Sequence, residues 1–395
     1  MRDFSAEGMP DDAHHGSGYF YNIWQRPRQP TGPEPPTKPL RRRPATRMRC
    51  GGCGAKVGAS VLSRALRGLN VKARPEVLLG LDQPDDAAVV RIPPGHAVVQ
   101  SVDFFRAFVD DPYVFGQIAA NHALGDVFAM GATPWTATAI ATVPPGVDAQ
   151  VEATLHQMMA GAVRVLEAAG CTLVGGHSGE GAELALGFAV NGLTPINADG
   201  ALTEVLRKGG MQVGDVLLLT KPLGTGALFA AHMQARVKGR WVQAALTSMV
   251  HSNQQAATIL RAHGATACTD VTGFGLLGHA VEMARPSGVQ LRLELNTLPL
   301  LDGALDCVQQ GLVSSLHSAN ARQRNVVRNP EAATQHPHWP LLLDPQTAGG
   351  LLASVPAARA ADCMAALRAQ GYPQACAIGV VLAPDDGDAP VHVQG

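Results

Sequence analysis

The sequence predicts a mixed protein of α/β and α+β character in two domains, on three observations. Its 395 residues exceed the ~250–300 at which a single hydrophobic core usually stops growing. With 46% hydrophobic and only 16% charged residues, the chain can bury sizeable cores, which excludes wholesale disorder. Segments alternating apolar and polar residues mingle with segments of helical period, without a strict strand–helix–strand repeat. That pattern favours α/β or α+β over an open dinucleotide-binding sheet.

Residues 1–47 differ from the rest. They hold 8 of the 28 prolines, and residues 26–47 carry seven Lys or Arg against one acidic residue, Glu34. PTGPEPPTKPLRRRP reads as an extended, polyproline-prone linker without a core; the alternative is that Arg41, Arg42 and Arg43 touch an acidic surface. The globular part begins near residue 48. A helical period runs from Val57 to Leu69, and HAVVQSVDFF reads as a strand ending in Asp103. Tyr113 to Met130 reads as a helix stopped by Gly131. WTATAIATV is a strand by its β-branched alternation. Val151 to Ala169 is helical, CTLVGGHS is a short strand entering a glycine turn, and ELALGFAVNGL is a further strand. The polar stretch from Asn197 to Gly210 marks a boundary, giving domains at 48–208 and 209–395. The second opens with the apolar strand DVLLLTKPLG and a long helix, continues with TDVTGFGLLGH and another helix, and closes with LDPQTAGGLLASV and a helix from Ala357 to Gln370.

Several function classes are disfavoured at once. The 31 Lys+Arg against 32 Asp+Glu lack the basic surplus of a non-specific nucleic-acid binder. No apolar run approaches the ~18 residues of a membrane helix, and the polar first 20 residues lack a signal-peptide core. Seven cysteines, an odd number in so long a chain, are no disulfide framework; a reducing cytoplasm is the expectation.

Five clusters set glycine beside polar residues in apolar surroundings. They are RCGGCGAK (Cys50, Cys53, Lys56), DQPDDAAVV (Asp85, Asp86), Asp103 with Asp126, GGHS (Gly175 to Ser178), and Asp270 before GFG. Carboxylates are rarely buried unless paired or bound to metal. Asp86, Asp103, Asp126 and Asp270 all have apolar flanks, which points to hard cations and, with Mg²⁺, to bound polyphosphate. Caps on helices or turns are the competing reading for each one alone. The Gly175-Gly176 turn would free backbone N–H groups for an anion, or serve as a plain tight turn. KPLGTG lacks the spacing of a Walker-type phosphate loop. GFGLLG fits G-x-G-x-x-G, but the strand before it is short and interrupted by Asp270, which argues against dinucleotide binding. Cys53 with Lys56 suits an activated thiol, since a nearby ammonium lowers thiol pKa; a merely mobile loop is the alternative.

CGAK, DDAAVV, SVDFF, FGQIAANHALGDVFAMGATP, VGGHS, LLLTKPLGTG, TDVTGFGLLGH and LDPQTAGGLL together resemble the selenide, water dikinase (selenophosphate synthetase) family. The likeness is collinear from about Cys50 onward. It implies the two-domain aminoimidazole ribonucleotide synthetase-like fold, with an N-terminal α/β dimerisation domain and a C-terminal α+β domain. It also implies a homodimer that makes selenophosphate, AMP and orthophosphate from ATP, selenide and water with Mg²⁺. By motif, Cys53 and Lys56 match the catalytic pair, and Asp86, Asp126 and Asp270 match the metal ligands. Gln83, Pro84, Asp85, Asp103 and Asp126 match nucleotide-lining positions, as does Lys56, while Gly176, His177 and Ser178 match a segment reaching ATP from the partner subunit. A selenium-delivery protein or an upstream flavoprotein is a partner that the resemblance admits. The rivals are a superfamily relative phosphorylating another small substrate and a non-catalytic nucleotide-binding paralogue. Three departures stand out: Ala55 where some members carry a second cysteine, His122 where many have Asn, and Ala348 where Ser is common.

Overall fold

The computed structural model describes residues 59–79, 81, 88–385, 387 and 389–395. After α1 (Ala59–Leu66), an antiparallel ribbon of β1 (Val77–Leu79) and β2 (Val89–Val90) leads to β3 (His96–Arg106), α2 (Pro112–Ala129) and β4 (Thr133–Val143). Then come α3 (Asp148–Ala168), β5 (Thr172–Glu180) and β6 (Ala185–Pro195). The second half runs β7 (Val216–Leu219), α4 (Thr225–Met233), α5 (Gly239–Val250), α6 (Gln254–Ala262), β8 (Ala267–Asp270), α7 (Gly275–Ser287) and β9 (Gln290–Glu294). Four short helices follow, α8 (Ala304–Gln309), α9 (His317–Asn320), α10 (Pro330–Ala333) and α11 (Trp339–Leu342). The last elements are β10 (Leu351–Val355), α12 (Ala357–Ala369), β11 (Cys376–Leu382) and β12 (Val391–Gln394).

The first sheet has the order β3-β6-β4-β5, antiparallel except for β4 beside β5. Helices α2 and α3 cover one face. The two-residue period of β3 sends Val99, Ser101, Asp103 and Phe105 toward α2 and leaves Gln100, Val102 and Phe104 on the other face. Among the described residues, that outer face leaves Val102 60%, Phe104 49% and Ile140 38% exposed. Helix α2 starts where Pro112 follows Asp111, whose carboxylate accepts from the backbone N–H of Tyr113 at 2.9 Å and of Val114 at 3.1 Å. Most of its residues are buried, as expected of a helix apolar on every side.

The second sheet has the order β12-β9-β11-β7-β10-β8, antiparallel except for β12 beside β9. Its central strands are mostly apolar because both faces are covered. Leu217 and Leu219 join the core under α7, while Leu218, Leu351 and Ala353 join a core with residues of α6 and α12. That second core continues through α2 to Phe188 of the first sheet. Each fully buried Phe or Leu there contributes about 1.5–3 kcal/mol.

Four readings need correction. The first helix spans Ala59–Leu66 among the described residues, shorter than its apolar period. The single long helix after β7 is three, α4, α5 and α6. Ala235 takes a positive φ of 54° between the first two. His251 is extended between the last two, and its carbonyl accepts from Lys221 Nζ at 2.5 Å and Asn121 Nδ2 at 2.8 Å. Gly175 and Gly176 form no turn: they lie inside the nine-residue strand β5. A Cβ on Gly176 would collide with the Ala139 carbonyl of β4, so this glycine serves strand proximity. Finally, β11 and β12 follow the helix that was expected to close the chain.

Candidate active site

Three elements bring the aspartates together. Strand β3 presents Ser101 and Asp103 on its helix-facing side. Helix α2 presents His122 and Asp126, four residues apart and so on one face. Strand β8 ends at Asp270, paired with Leu351 of β10. Ser101 Oγ donates to Asp126 Oδ2, and His122 Nε2 stands 3.9 Å from Asp103 Oδ1. Helix α2 reaches β8 because residue 125 is glycine: a Cβ there would lie 2.6 Å from Asp270 Oδ2.

Among the described residues, carboxylate–carboxylate repulsion is felt throughout the cleft. Burial pushes the Asp270 carboxyl up to about 7, and repulsion from Asp126 and Asp103 adds to it. Asp103 is also raised, by burial first and by Asp126, with His122 opposing. Burial lowers Lys221 to about 7 even though Asp270 favours its charged form. Carboxylates that repel one another in a half-buried cleft gain when a cation enters. Among the described residues, no group of three or more His, Cys, Asp or Glu is arranged to hold an ion alone. Mg²⁺ commonly takes one or two carboxylates and completes its shell with water and substrate phosphates. Asp126 and Asp270, hard oxygen donors against a glycine-thinned helix, fit such an ion.

The glycine-rich loops have other duties. The N-terminus of α4, after KPLGTG, is filled by the protein itself. Gly226 N–H donates to Asp344 Oδ2 at 3.0 Å, and Gly224 and Thr225 N–H donate to Gln346 Oε1 at 3.0 and 3.2 Å. A buried carboxylate thus takes the place a phosphate would need. GFGLLG follows β8, which pairs antiparallel with β10, so a parallel dinucleotide-binding unit is absent there. The turn after Gln346 instead meets the cleft: Ala348 N–H donates to His122 Nδ1 at 2.9 Å, and Lys221 Nζ donates to the Ala348 carbonyl at 3.2 Å.

Gly176, His177 and Ser178 lie on β5, at the sheet edge opposite β3. Two strands intervene, a separation of about 14 Å from Asp103 at the usual strand spacing. They line a cavity of about 800 Å³ with Gln100, Thr138 and Asn191, and none of the three aspartates lines it. The structure therefore assembles Asp103, Asp126 and Asp270 and leaves Gly176 to Ser178 apart from them within one chain. Cys53, Lys56, Gln83, Pro84, Asp85 and Asp86 lie outside the described residues. Sequence reading missed Ser101, Lys221 and Asp344. Each gains its role from partners 25 to 127 residues away, and only the apolar setting of Lys221 offered a signal.

This succession of a helix-backed sheet and a second mixed sheet is that of the AIR synthase related proteins. The N-terminal domain model of that family matches residues 84–194 and the C-terminal domain model residues 212–392. A hydrogenase maturation protein, HypE, solved in complex with ATP, superposes with a TM-score of 0.61 at 19% identity, covering 83% of this chain and 88% of that one. At that identity the likeness establishes the fold alone. The selenide, water dikinase of Pelobacter propionicus is 40% identical over 84% of this chain and 93% of its own length. That of Desulfitobacterium hafniense is 41% identical over 85% and 95%. The chain belongs to the selenide, water dikinase family.

Proposed function

We propose that this chain is the enzyme that uses ATP to convert selenide and water into selenophosphate, releasing AMP and orthophosphate. The observation that carries the reading is the convergence of Asp103, Asp126 and Asp270 from β3, α2 and β8 into one cleft, where burial raises the carboxyl pKa of Asp103 and of Asp270. Asp126 and Asp270, with Asp86, would hold Mg²⁺, which supplies charge neutralisation and polarisation at a polyphosphate. Asp103 lines the nucleotide together with Gln83, Pro84, Asp85 and Asp126. Breaking a polyphosphate asks the protein mainly for positioning and for charge complementary to the transferring group. Lys56 would supply such a charge and Cys53 would handle the soft selenium nucleophile, both by their match to the family's motif.

A homodimer follows from the same reading. Gly176, His177 and Ser178 lie at the sheet edge opposite β3 and line a cavity that none of the three aspartates lines, so this reading brings them to the nucleotide from the partner subunit, as the resemblance implies. The exposed apolar face of the first sheet, with Val102, Phe104 and Ile140, is suited to a second copy that would bring them to it. Residues 48–208 and 209–395 are assigned as the two domains and residues 1–47 as a linker. No described helix is long and apolar enough to cross a membrane; we assign the enzyme to the cytoplasm, with selenide supplied by a delivery protein or flavoprotein.

Anaerobic incubation with ATP, Mg²⁺ and selenide, followed by chromatography of the nucleotides, tests the site. AMP forms in the wild type only when selenide is present, and Asp270→Ala lowers its rate at least ~100-fold. A folded Asp270→Ala protein with undiminished turnover removes Asp270 from the metal set.

A further inference from the structure

The turn over residues 345–350 and helix α2 meet at one imidazole. Ala348 is one of two non-glycine residues described with positive φ, at 47°, and both polar groups of its backbone are engaged by buried side chains. Its N–H donates to His122 Nδ1 at 2.9 Å, and its carbonyl accepts from Lys221 Nζ at 3.2 Å. The Gly349 carbonyl accepts from Asn253 Nδ2 at 2.8 Å. The His122 side chain is 14% exposed and stands edge-on to the Phe105 ring at 5.1 Å. Its second nitrogen, Nε2, faces Asp103 Oδ1 at 3.9 Å.

A ring nitrogen that accepts from a backbone N–H carries no proton, so a neutral imidazole must hold its proton on the other nitrogen. Burial lowers the His122 pKa and so favours the neutral ring. We infer that His122 is a positioning residue for the acid cleft: the Ala348 N–H fixes it as the Nε2–H tautomer, and the proton so placed is aimed at Asp103. A neutral donor orients that carboxylate without adding a positive charge to the cleft. At 3.9 Å the contact exceeds hydrogen-bond length, and a movement under ~1 Å closes it. The position of the 345–350 turn is thereby passed to Asp103. The consequence for nucleotide rests on the function proposed above; the tautomer does not.

Both parts are tested on the full chain. With ¹⁵N-labelled histidine at pH 7.5, long-range proton–nitrogen correlation of the His122 ring, identified by its loss in His122→Gln, should show a protonated Nε2 and a bare Nδ1. A protonated Nδ1, or a ring protonated at both nitrogens, overturns the proposal whatever the enzyme turns over. His122→Asn keeps an acceptor near Ala348 N–H but cannot reach Asp103. His122→Gln reaches toward Asp103 but leaves Ala348 N–H unpaired. The dissociation constant of Mg²⁺ with a non-hydrolysable ATP analogue should rise about fivefold in the folded Asn variant, the worth of one hydrogen bond, and less in Gln. Equal affinity in Asn and wild type overturns the aim at Asp103. No nucleotide binding by the wild type counts against the proposed function alone.

Discussion

Asp344 shows how much one buried residue sets. Fully buried at the start of α4, its carboxyl is pushed up to about 7 by burial, against bonds from Gln346 and the backbone N–H groups of Ala227 and Gly226 that favour the ionised form. Its folded pKa lies above its unfolded value, so the folded protein keeps a proton that the unfolded chain has released. The stability this confers is present below about pH 4 and is lost as pH rises toward 7. Asp344→Asn, a neutral near-isostere, should therefore match the wild-type Tm at about pH 3.5, pull ahead as pH rises from about 4 to 7, and exceed it by about 5 °C at pH 8. A difference independent of pH, read by calorimetry, would show that the carboxyl stays ionised throughout. At this scale the sequence was legible where charge met apolar flanks, as at Asp103, Asp126 and Asp270. It was silent on Asp344, Lys221 and the His122 contact to Ala348, because nothing local announces a partner 118, 127 or 226 residues away.

Elements pack around the site by the same local means. Helices α2 and α3 cross in backbone contact at two glycines. A Cβ on Gly161 would collide with the Tyr113 carbonyl, and one on Gly116 with the Met158 carbonyl. This crossing sets how α2 lies on the sheet, and thus where His122 and Asp126 point. Gly161→Ala must spread the helices and should destabilise the protein by about 3 kcal/mol or more, comparable to severe overpacking; chemical denaturation giving a loss under about 0.5 kcal/mol would mean that the crossing yields. The long elements β3, α2, β4, α3 and β6 were legible because their periods run over 11 to 21 residues. Strands β9, β11 and β12 and helices α8–α11 escaped, being short and stabilised by tertiary partners more than by their own pattern. The Gly175-Gly176 pair misled for a related reason: glycine marks close approach as well as turning, and only the neighbouring strand decides which.

For the whole molecule, the proposed homodimer rests on the exposed apolar face of the first sheet, with Val102, Phe104 and Ile140. Phe104→Glu on that face should give a monomer by sedimentation and lower the selenide-dependent rate, since Gly176 to Ser178 would then be missing from the nucleotide. A dimer of full activity would place the interface elsewhere. The central claim is that the acid cleft spends ATP on selenium. Anaerobic ³¹P NMR of the protein with ATP, Mg²⁺ and selenide tests it most directly. The account predicts a selenium-bonded phosphate resonance growing in step with AMP and orthophosphate, and neither product without selenide; ATP consumed with no such resonance, or AMP formed equally without selenide, would contradict it.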